Sequence, residues 1–263
     1  MPELELSGCT IHYRDSGGTG RAILFTHGAG ADHVMFDAQY EFLSARGYRV
    51  VTWDQRGHGR STSTRPITAA RAVEDAEAVI DALKLTGAVL AGQSMGGPLS
   101  QELVRRHPDR YSGLVVMDSL WNAGPLSRSD RFWLSVAAPS LRLIPWRWLP
   151  GIMARASAVT PTAIADVERA FRLIDKRRFI DAWLVAVAML RPERGYRTPV
   201  PLLLICGAED RTGTISTVMP VWAAAEGVSE HVVAGAGHMV TQDAPDEVNA
   251  LIQRFLNEEG LPD

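Results

Sequence analysis

Short apolar runs alternate with longer segments of helical periodicity along most of this chain, and this alternation constrains the fold more than any other feature. The run "AILFT" precedes a helical pattern at about residues 36–46, and "AVLA" precedes another that begins near Pro98. Continuous apolar strands are typical of a sheet that is covered on both faces. The alternation therefore predicts an α/β fold with a mostly parallel sheet flanked by helices.

The predicted strands are short, and most are separated by enough residues for a helix. They are residues 4–6, residues 10–14 and the runs AILFT, YRVVTW, AVLA, SGLVVM, VPLLLIC and EHVVA. The helices predicted between and after them span about residues 36–46, 68–84, 98–107, 220–226 and 245–257. The first two strands are expected to form a hairpin, and the others to form the parallel part of the sheet.

A long interruption separates the two sheet-forming portions of the chain. Residues 121–194 contain no convincing strand but four helix-like stretches, at about residues 129–141, 146–156, 161–176 and 178–190. We interpret this segment as a helical cap inserted into a core domain made of residues 1–120 and 195–263. Most of its aromatic side chains are expected to pack on the core, and a minority to line an apolar pocket.

Composition and charge narrow the class of protein further. Hydrophobic residues make up 46% of the chain, which is enough for a large core, and the formal net charge is only −3. We therefore expect neither nucleic acid nor a membrane as partner. The N-terminus has acidic residues where a secretory signal would be basic, and Cys9 and Cys206 have no metal-ligand spacing, so we expect a cytoplasmic protein without a metal site.

One stretch, "VLAGQSMGGPLS" from Val89 to Ser100, places a serine where a strand turns into a helix. Glycines at positions 92 and 96 suit a sharp turn, because a larger side chain there would collide with the neighbouring strand or helix. Ser94 would then project alone at the N-terminus of the helix. The alternative is a glycine-rich connection without chemistry, and the rest of the chain decides between the two.

A serine hydroxyl needs a base and an orienting acid before it can act as a nucleophile. His238, in the glycine-flanked loop "AGAGHM" after the last predicted strand, is the predicted base. Asp210, in "CGAED" after the preceding strand, is the predicted acid and is preferred over its neighbour Glu209. Asp118, which follows "LVVM", is the competing acid, and the sequence leaves that alternative open.

Backbone amides are suited to hold the oxygen that becomes negative during acyl transfer, because they are fixed and carry no proton to lose. The predicted donors are the amides of Met95, directly after the serine, and of Ala29, in the loop "FTHGAGADH". His27 is interpreted as a scaffold residue that bonds neighbouring loops. The substrate pocket is predicted to include Gly28, Trp121, Trp133, Trp183 and Met239.

Taken together, the motifs resemble those of the α/β-hydrolase superfamily. The turn "HGAG", the loop "DQRGHGRS", the elbow "GQSMGG", the acid loop "GAED" and the terminal "GAGH" stand in that family's order of nucleophile, acid and histidine. The resemblance covers the two sheet portions and is weak in the cap. It implies an eight-stranded sheet with an inserted lid and hydrolysis through a covalent acyl-enzyme without metal or organic cofactor.

We therefore predict a serine hydrolase that cleaves a carboxylic ester of small to medium size and largely apolar character. The same residues could serve a lactone or enol-lactone hydrolase, a carbon–carbon bond hydrolase or a perhydrolase. An alternative of another class is a ligand receptor or scaffold without turnover. The sequence does not distinguish ester from lactone, and it does not indicate the oligomeric state.

Overall fold

The strands of the computed structural model occur where the apolar runs predict them, and the structure describes residues 1–127, 134, 136 and 140–257. In chain order they are β1 (Glu3–Leu6), β2 (Cys9–Asp15), β3 (Ala22–Thr26), β4 (Arg49–Trp53), β5 (Ala88–Gln93), β6 (Tyr111–Met117), β7 (Leu202–Gly207) and β8 (Glu230–Val233). They form one sheet in the order β1-β2-β4-β3-β5-β6-β7-β8. The pairs β1–β2 and β2–β4 are antiparallel and the others are parallel, which confirms the predicted mostly parallel sheet of eight strands.

Helices follow most of the strands, and three of the helices in the described residues lie between β6 and β7. They are α1 (Asp37–Ser44), α2 (Ala69–Ala82), α3 (Gly96–Arg106), α4 (Leu149–Ser157), α5 (Pro161–Leu173), α6 (Lys176–Ala188), α7 (Ile215–Glu226), α8 (Val240–Asp243) and α9 (Pro245–Asn257). Short 3₁₀ turns cover His33–Phe36 and Pro108–Arg110. The predicted helices of the core domain are all present, with ends that differ by a few residues.

Side chains that alternate along a strand pack in different core layers, because successive residues point to opposite faces. On β5, Val89 and Ala91 belong to one buried cluster, whereas Ala88 and Leu90 belong to another. The first cluster includes side chains of α1 and α9, and the second includes side chains of α2, α3 and α7. This two-sided burial explains why the strands are continuous apolar runs.

The predicted helix at residues 220–226 begins earlier than expected. α7 starts at Ile215 and contains Pro220 in its interior, although proline lacks the N–H that a helix uses. Ile215, Met219, Trp222 and Ala223 are buried on one face of this helix. Burial of that face therefore outweighs the lost hydrogen bond, and proline does not mark the helix start here.

Three of the four helices predicted for the cap lie in the described residues, as α4, α5 and α6. The prediction of one helix over residues 161–176 was too long, because the Asp175 side chain accepts a hydrogen bond from Arg178 N at 2.9 Å and caps a new helix. The stretch predicted at residues 129–141 lies largely outside the described residues. The cap boundaries at residues 121 and 194 stay a prediction.

None of the described helices is both long enough and apolar enough to cross a bilayer.

Candidate active site

Ser94 lies at the sharp turn between β5 and α3, with a backbone φ of +50°. This left-handed conformation is costly for a residue other than glycine, and it persists only where the surroundings enforce it. A methyl group at position 92 would lie 2.2 Å from Gly96 O, and one at position 96 would lie 2.0 Å from Thr26 O. Both glycines are therefore required for close packing, as the sequence predicts for a strained turn that presents the serine.

Hydrogen bonds from the neighbouring strand end fix this turn. Ser94 N donates to Met117 O at 3.0 Å, and the Ser119 hydroxyl donates to Ser94 O at 2.7 Å. Gln93, the residue before the serine, is fully buried and donates from Nε2 to His238 O at 2.7 Å. The turn that carries Ser94 is thereby joined directly to the loop that carries His238. Sequence analysis did not single out Gln93 or Ser119, whose contacts depend on the tertiary structure.

His238 and Asp210 are in contact, as predicted from the two loops. His238 Nδ1 lies 2.9 Å from Asp210 Oδ2, and both side chains are buried. With Nδ1 donating its proton to the carboxylate, the imidazole Nε2 carries the lone pair that can accept a proton. The second carboxylate oxygen accepts from Thr212 N at 2.7 Å, which fixes the orientation of Asp210.

Asp210 is held in its charged form. Burial alone would raise the pKa of its carboxyl, but the nearby His238 and the hydrogen bonds from His238 and Thr212 outweigh burial and lower that pKa below its usual value. A carboxylate that stays ionised can stabilise an imidazolium beside it. The electrostatics therefore suit Asp210 to the role of orienting acid.

Asp118, the competing acid, lies behind this pair in a different state. It is completely buried, has a φ of +42°, and accepts a hydrogen bond from Gly207 N at 2.8 Å. Burial first and the charge of Asp210 second raise the pKa of the Asp118 carboxyl well above its usual value. Two carboxyl groups this close cannot both ionise in a buried site, so Asp118 carries the proton and Asp210 the charge.

Asp118, Asp210 and Cys206 place three donor atoms within 4.8 Å of one another. Metal binding requires these groups to be deprotonated. Burial raises the pKa of the Cys206 thiol, with Asp118 and Asp210 adding to the shift, and it also raises the pKa of Asp118. Protonation of two of the three donors therefore opposes a metal site at this point of the structure.

The loop after β3 brings one predicted oxyanion donor, Ala29, to the serine, and the other, Met95, follows the serine directly. A methyl group at Gly28 would lie 2.9 Å from Ser94 Cβ, so this loop passes directly against the nucleophile turn. Among the described residues, neither the N–H of Ala29 nor that of Met95 has a hydrogen-bond acceptor in the protein. Ala29, Met95 and Ser94 all line the same cavity. Two unpartnered amides beside the serine are suited to receive a developing oxyanion.

His27 connects this loop to the next one, as the interpretation as a scaffold residue expects. Its Nε2 accepts from Gln55 N at 2.9 Å, and Gln55 Nε2 donates to His27 O at 2.5 Å. Burial lowers the pKa of His27, so the ring stays neutral and keeps its acceptor. Nearby, His33 donates from its backbone N to Asp54 Oδ1 at 2.8 Å, which fixes the far end of the loop.

A cavity of about 160 Å³ opens beside Ser94, between the sheet edge and the cap. Its lining comprises Ala29, Ser94, Met95, Ser119, Leu120, Leu134, Trp183, Ala186, Val187, Thr212, Gly213, Thr214 and Ile215. Most of these residues are apolar, and the hydroxyl groups of the lining belong to Ser94, Ser119, Thr212 and Thr214. No charged side chain lines the cavity in the part of the chain that the structure describes.

The residues predicted for the pocket have different positions in the structure. Trp183 of α6 lines the cavity, and Gly28 adjoins Ser94. The assignment of Trp121 is corrected, because its ring stacks on Trp222 at 6.0 Å between centroids and is buried in the core. Met239 is likewise corrected, since it is 3% exposed and packs in the other core layer. Trp133 lies outside the described residues.

The cap helix α5 is attached to both loops of the site. Arg169 donates two hydrogen bonds to the buried Asp32, at 2.7 and 2.8 Å, three residues beyond Ala29 in the chain. On the same helix, Asp166 accepts from Gln242 Nε2 at 2.6 Å, just after His238. The cap therefore contacts the loops that carry the predicted oxyanion donor and the predicted base. The sequence gives no local signal for these contacts.

A further contact ties the start of α5 to the same region. Asp243 accepts hydrogen bonds from Val159 N at 3.0 Å, from Thr160 N at 2.8 Å and from Gly237 N at 3.0 Å. One carboxylate thus joins the residues before α5 to the residue before His238.

Comparison with known proteins agrees with this geometry. A model described as "Alpha/beta hydrolase family" matches residues 23–251, which is most of the chain. The chain belongs to the alpha/beta hydrolase family. The resemblance inferred from the motifs is thereby confirmed, and the chain is a member of a family of hydrolases.

Individual members of the alpha/beta hydrolase family show how the similarity is distributed. The enol-lactonase from Burkholderia xenovorans LB400 has 25% sequence identity and a TM-score of 0.82, with 98% of this chain and 100% of that chain covered. The AB hydrolase superfamily protein YisY of Bacillus subtilis (strain 168) is 26% identical over 91% of this chain and 93% of its own length. The non-heme haloperoxidase of Rhodococcus erythropolis is 41% identical, but over only 41% of this chain and 39% of its own length.

Proposed function

We propose that this protein is a serine hydrolase that cleaves a carboxylic ester through an acyl-enzyme. The proposal rests on the hydrogen-bonded connection between the turn that presents Ser94 and the loop that carries His238. The turn that presents Ser94 at φ +50° is hydrogen-bonded through Gln93 to His238, and His238 is paired with an ionised Asp210. A nucleophile that is partly accessible, as Ser94 is, together with a base and an orienting acid meets the requirements of acyl transfer.

In the first half of the reaction, the Ser94 hydroxyl attacks the ester carbonyl while its proton passes to His238 Nε2. The carbonyl oxygen becomes negative and is held by the N–H groups of Ala29 and Met95. The imidazolium then gives its proton to the departing alkoxide, which leaves as the alcohol. Asp210 stabilises the imidazolium without taking its proton.

In the second half, water replaces the alcohol. His238 removes a proton from the water while the water oxygen attacks the acyl carbon. His238 then returns this proton to Ser94 Oγ as the bond between Ser94 Oγ and the acyl carbon breaks. The products are the carboxylic acid and the free enzyme. These steps need no group beyond the protein and water.

The cavity beside Ser94 indicates the size and polarity of the substrate. Its volume of about 160 Å³ is close to that of an apolar cavity that holds benzene, about 150 Å³. We infer a neutral acyl or alkyl group of about six non-hydrogen atoms, packed against Trp183, Val187 and Ile215. A carboxylate or ammonium group in this position would be desolvated without a partner of opposite charge.

A lactone is the second candidate substrate. The similarity to the Burkholderia enol-lactonase covers nearly the whole of both chains. A lactone is a cyclic ester, so the same attack by Ser94 applies, with the leaving alkoxide still attached to the acyl group. The choice between open-chain and cyclic esters depends on the shape of the cavity rather than on the catalytic residues.

Hydrolysis of p-nitrophenyl esters of graded acyl length, compared with an enol-lactone, tests the proposal. Wild-type protein is expected to show highest kcat/KM for acyl chains of about four to six carbons, and Ser94→Ala to lose activity by about 10³-fold or more. Ser100→Ala, which changes another buried serine on α3, is the matched control and should keep activity. Equal rates for Ser94→Ala and Ser100→Ala, or no turnover by the wild type on any ester or lactone, would overturn the proposal.

A further inference from the structure

The cap carries an unusual distribution of charge that hydrolysis does not explain. From residue 131 to residue 165 the sequence contains four of the chain's 27 basic residues and none of its 30 acidic residues. The formal charge of the whole chain is nevertheless −3. The segment therefore has a formal charge of +4 because acidic residues are missing from it, which the net charge of the whole chain conceals.

The exposed side chains of residues 142–156 are also unusual in type. Every exposed side chain from residue 142 to residue 156 is either an arginine or apolar. Leu143 is 85% exposed, Trp148 55% and Ile152 45%, values that are uncommon for side chains of this size. We define the cap surface as Arg142, Leu143, Arg147, Trp148, Ile152 and Arg155.

Contacts within the segment hold these side chains in place. Ile152 N donates to Trp148 O at 3.0 Å, so the two apolar side chains lie one helical turn apart on the same face. The Arg147 guanidinium lies 4.6 Å from the centroid of the Trp148 ring. Lys176 Nζ donates to Ile144 O at 2.6 Å and brings another cation to the edge of the cap surface. Apolar and cationic groups are thus interleaved.

Acidic groups near the edge of the cap surface already have partners. Glu168 is paired with Arg172 on α5, and Asp181 lies 3.9 Å from Arg177 on α6. They reduce the positive charge of the surroundings but do not lie among the exposed side chains of residues 142–156. The three arginines of the cap surface carry a formal charge of +3, and Glu168, which like Arg155 lies beside Gly151, offsets part of it.

From this combination we infer, against the expectation from net charge that no membrane is a partner, that the cap surface docks on an anionic lipid bilayer. Arginines attract the headgroups, while tryptophan, leucine and isoleucine enter the boundary between headgroups and acyl chains. The excess negative charge of the rest of the chain orients the molecule with the cap toward the bilayer. A second copy of the chain is a poorer occupant, because a two-fold contact would place the arginines of both copies together.

Docking by this surface places the cavity beside Ser94 on the bilayer side of the sheet, since α6 contributes both Lys176 at the edge of the surface and Trp183 in the cavity wall. An apolar ester dissolved in the bilayer would then reach the cap by a short path. This consequence rests on the proposed function, whereas the docking itself does not.

Sedimentation of the full chain with vesicles tests the inference. We expect binding to mixed phosphatidylglycerol and phosphatidylcholine vesicles at about 0.05 M salt, weaker binding at about 0.5 M salt, and little binding to phosphatidylcholine alone. Arg147→Gln/Arg155→Gln should lower the partition coefficient about 25-fold, because each basic residue near such a surface contributes about fivefold.

The apolar part is tested by Leu143→Ser/Trp148→Ser, which should also weaken binding without affecting the fold because both side chains are exposed. The matched controls are Arg254→Gln on α9 and Val232→Ser on β8, both exposed and remote in sequence from the cap. Circular dichroism and hydrolysis of a water-soluble ester report whether each variant is folded.

The outcomes are distinct. The inference is supported if the wild type binds anionic vesicles in a salt-sensitive way, both cap variants bind them more weakly, and both control variants bind them as the wild type does. Absence of binding at low salt, or equal loss in the control variants, overturns it. If the wild type self-associates in analytical ultracentrifugation and the cap variants do not, or if the cap captures an acidic protein but no vesicles, the surface has another occupant and the inference is wrong. If the wild type binds vesicles but hydrolyses no ester, only the proposed function is overturned.

Discussion

Replacement of Arg169 by methionine tests how the cap stabilises the loop that carries Ala29. Asp32 is 3% exposed, and its carboxylate accepts two hydrogen bonds from Arg169 and one from Val34 N at 3.1 Å. The guanidinium of Arg169 has a raised pKa, chiefly because of its hydrogen bonds to Asp32. Arg169→Met keeps the aliphatic stem but leaves a buried carboxylate with one donor.

The magnitude follows from the burial of the two partners. Breaking a fully buried ion pair by removing one partner costs about 3–5 kcal/mol. The Arg169 side chain is 40% exposed, so water can approach the pair and the cost is smaller, about 2 kcal/mol in free energy of unfolding. Arg172→Met is the matched control, because Arg172 lies on the same helix, is 58% exposed and pairs with Glu168. Its loss should cost at most about 0.5 kcal/mol.

Urea unfolding followed by fluorescence measures these differences. The double variant Asp32→Asn/Arg169→Met removes the buried charge as well, and we expect it to recover about half of the lost free energy. Turnover of a p-nitrophenyl ester by Arg169→Met should fall with little change in KM, because the oxyanion loop loses its support. If Arg169→Met and Arg172→Met unfold at the same urea concentration, or if the double variant is no more stable than the single one, the reasoning is refuted.

Three further predictions concern the two candidate acids, the buried His58, and Gly30 in the oxyanion loop. Asp118→Asn substitutes a neutral side chain of the same shape for a protonated carboxyl, so ester turnover should change little. Asp210→Asn, in contrast, should lower kcat by about 10³-fold or more. A larger loss of turnover in Asp118→Asn than in Asp210→Asn would identify Asp118 as the acid. Burial and the neighbouring His27 lower the pKa of His58 to about 3, so the unfolded chain binds a proton that the folded chain does not bind between about pH 6.5 and pH 3. The free energy of unfolding should fall as pH falls through that window, by up to about 1.4 kcal/mol per pH unit from this group, and pH-dependent urea unfolding of His58→Gln should show a correspondingly shallower slope. Gly30 has a φ of +79°, and a methyl group there would lie 2.7 Å from the Phe171 ring, whereas Gly17 has a φ of +69° and open space around it. Thermal unfolding should therefore show Gly30→Ala to be less stable than Gly17→Ala by about 1–3 kcal/mol. Equal losses of stability would show that the contact with the cap is unimportant.

Much of the sheet could be predicted from the sequence because its determinants are local. A strand buried on both faces must be a continuous apolar run, and β3, β5, β6 and β7 all have that pattern. The turn around Ser94 was predicted from its glycines. Gly92 is required by a local contact with Gly96, whereas Gly96 is required by Thr26 of the adjacent strand β3, which is distant in sequence.

Contacts between distant parts of the chain could not be predicted in this way. Arg169 and Asp32 are 137 positions apart, and neither residue type indicates a buried pair by itself. Trp121 was assigned to the pocket, but its ring stacks on Trp222, about a hundred residues later in the chain. Helical periodicity predicts which cap side chains share a face, but it does not predict what that face contacts.

The sequence also left the acid of the site open between Asp210 and Asp118, because both follow strands of the same sheet. The structure distinguishes them physically. His238 contacts Asp210, and burial without a cation beside it keeps the proton on Asp118. The role of Asp210 in catalysis remains part of the proposal and depends on the variants described above.

Labelling with a fluorophosphonate, followed by mass-spectrometric mapping, tests the central claim most directly. Such a reagent reacts rapidly only with a serine whose hydroxyl is activated by a neighbouring base. We predict a single adduct on the peptide that contains Ser94, and a labelling rate at least about 10²-fold lower in His238→Gln. No adduct, an adduct on another residue, or an unchanged rate in His238→Gln would contradict the account.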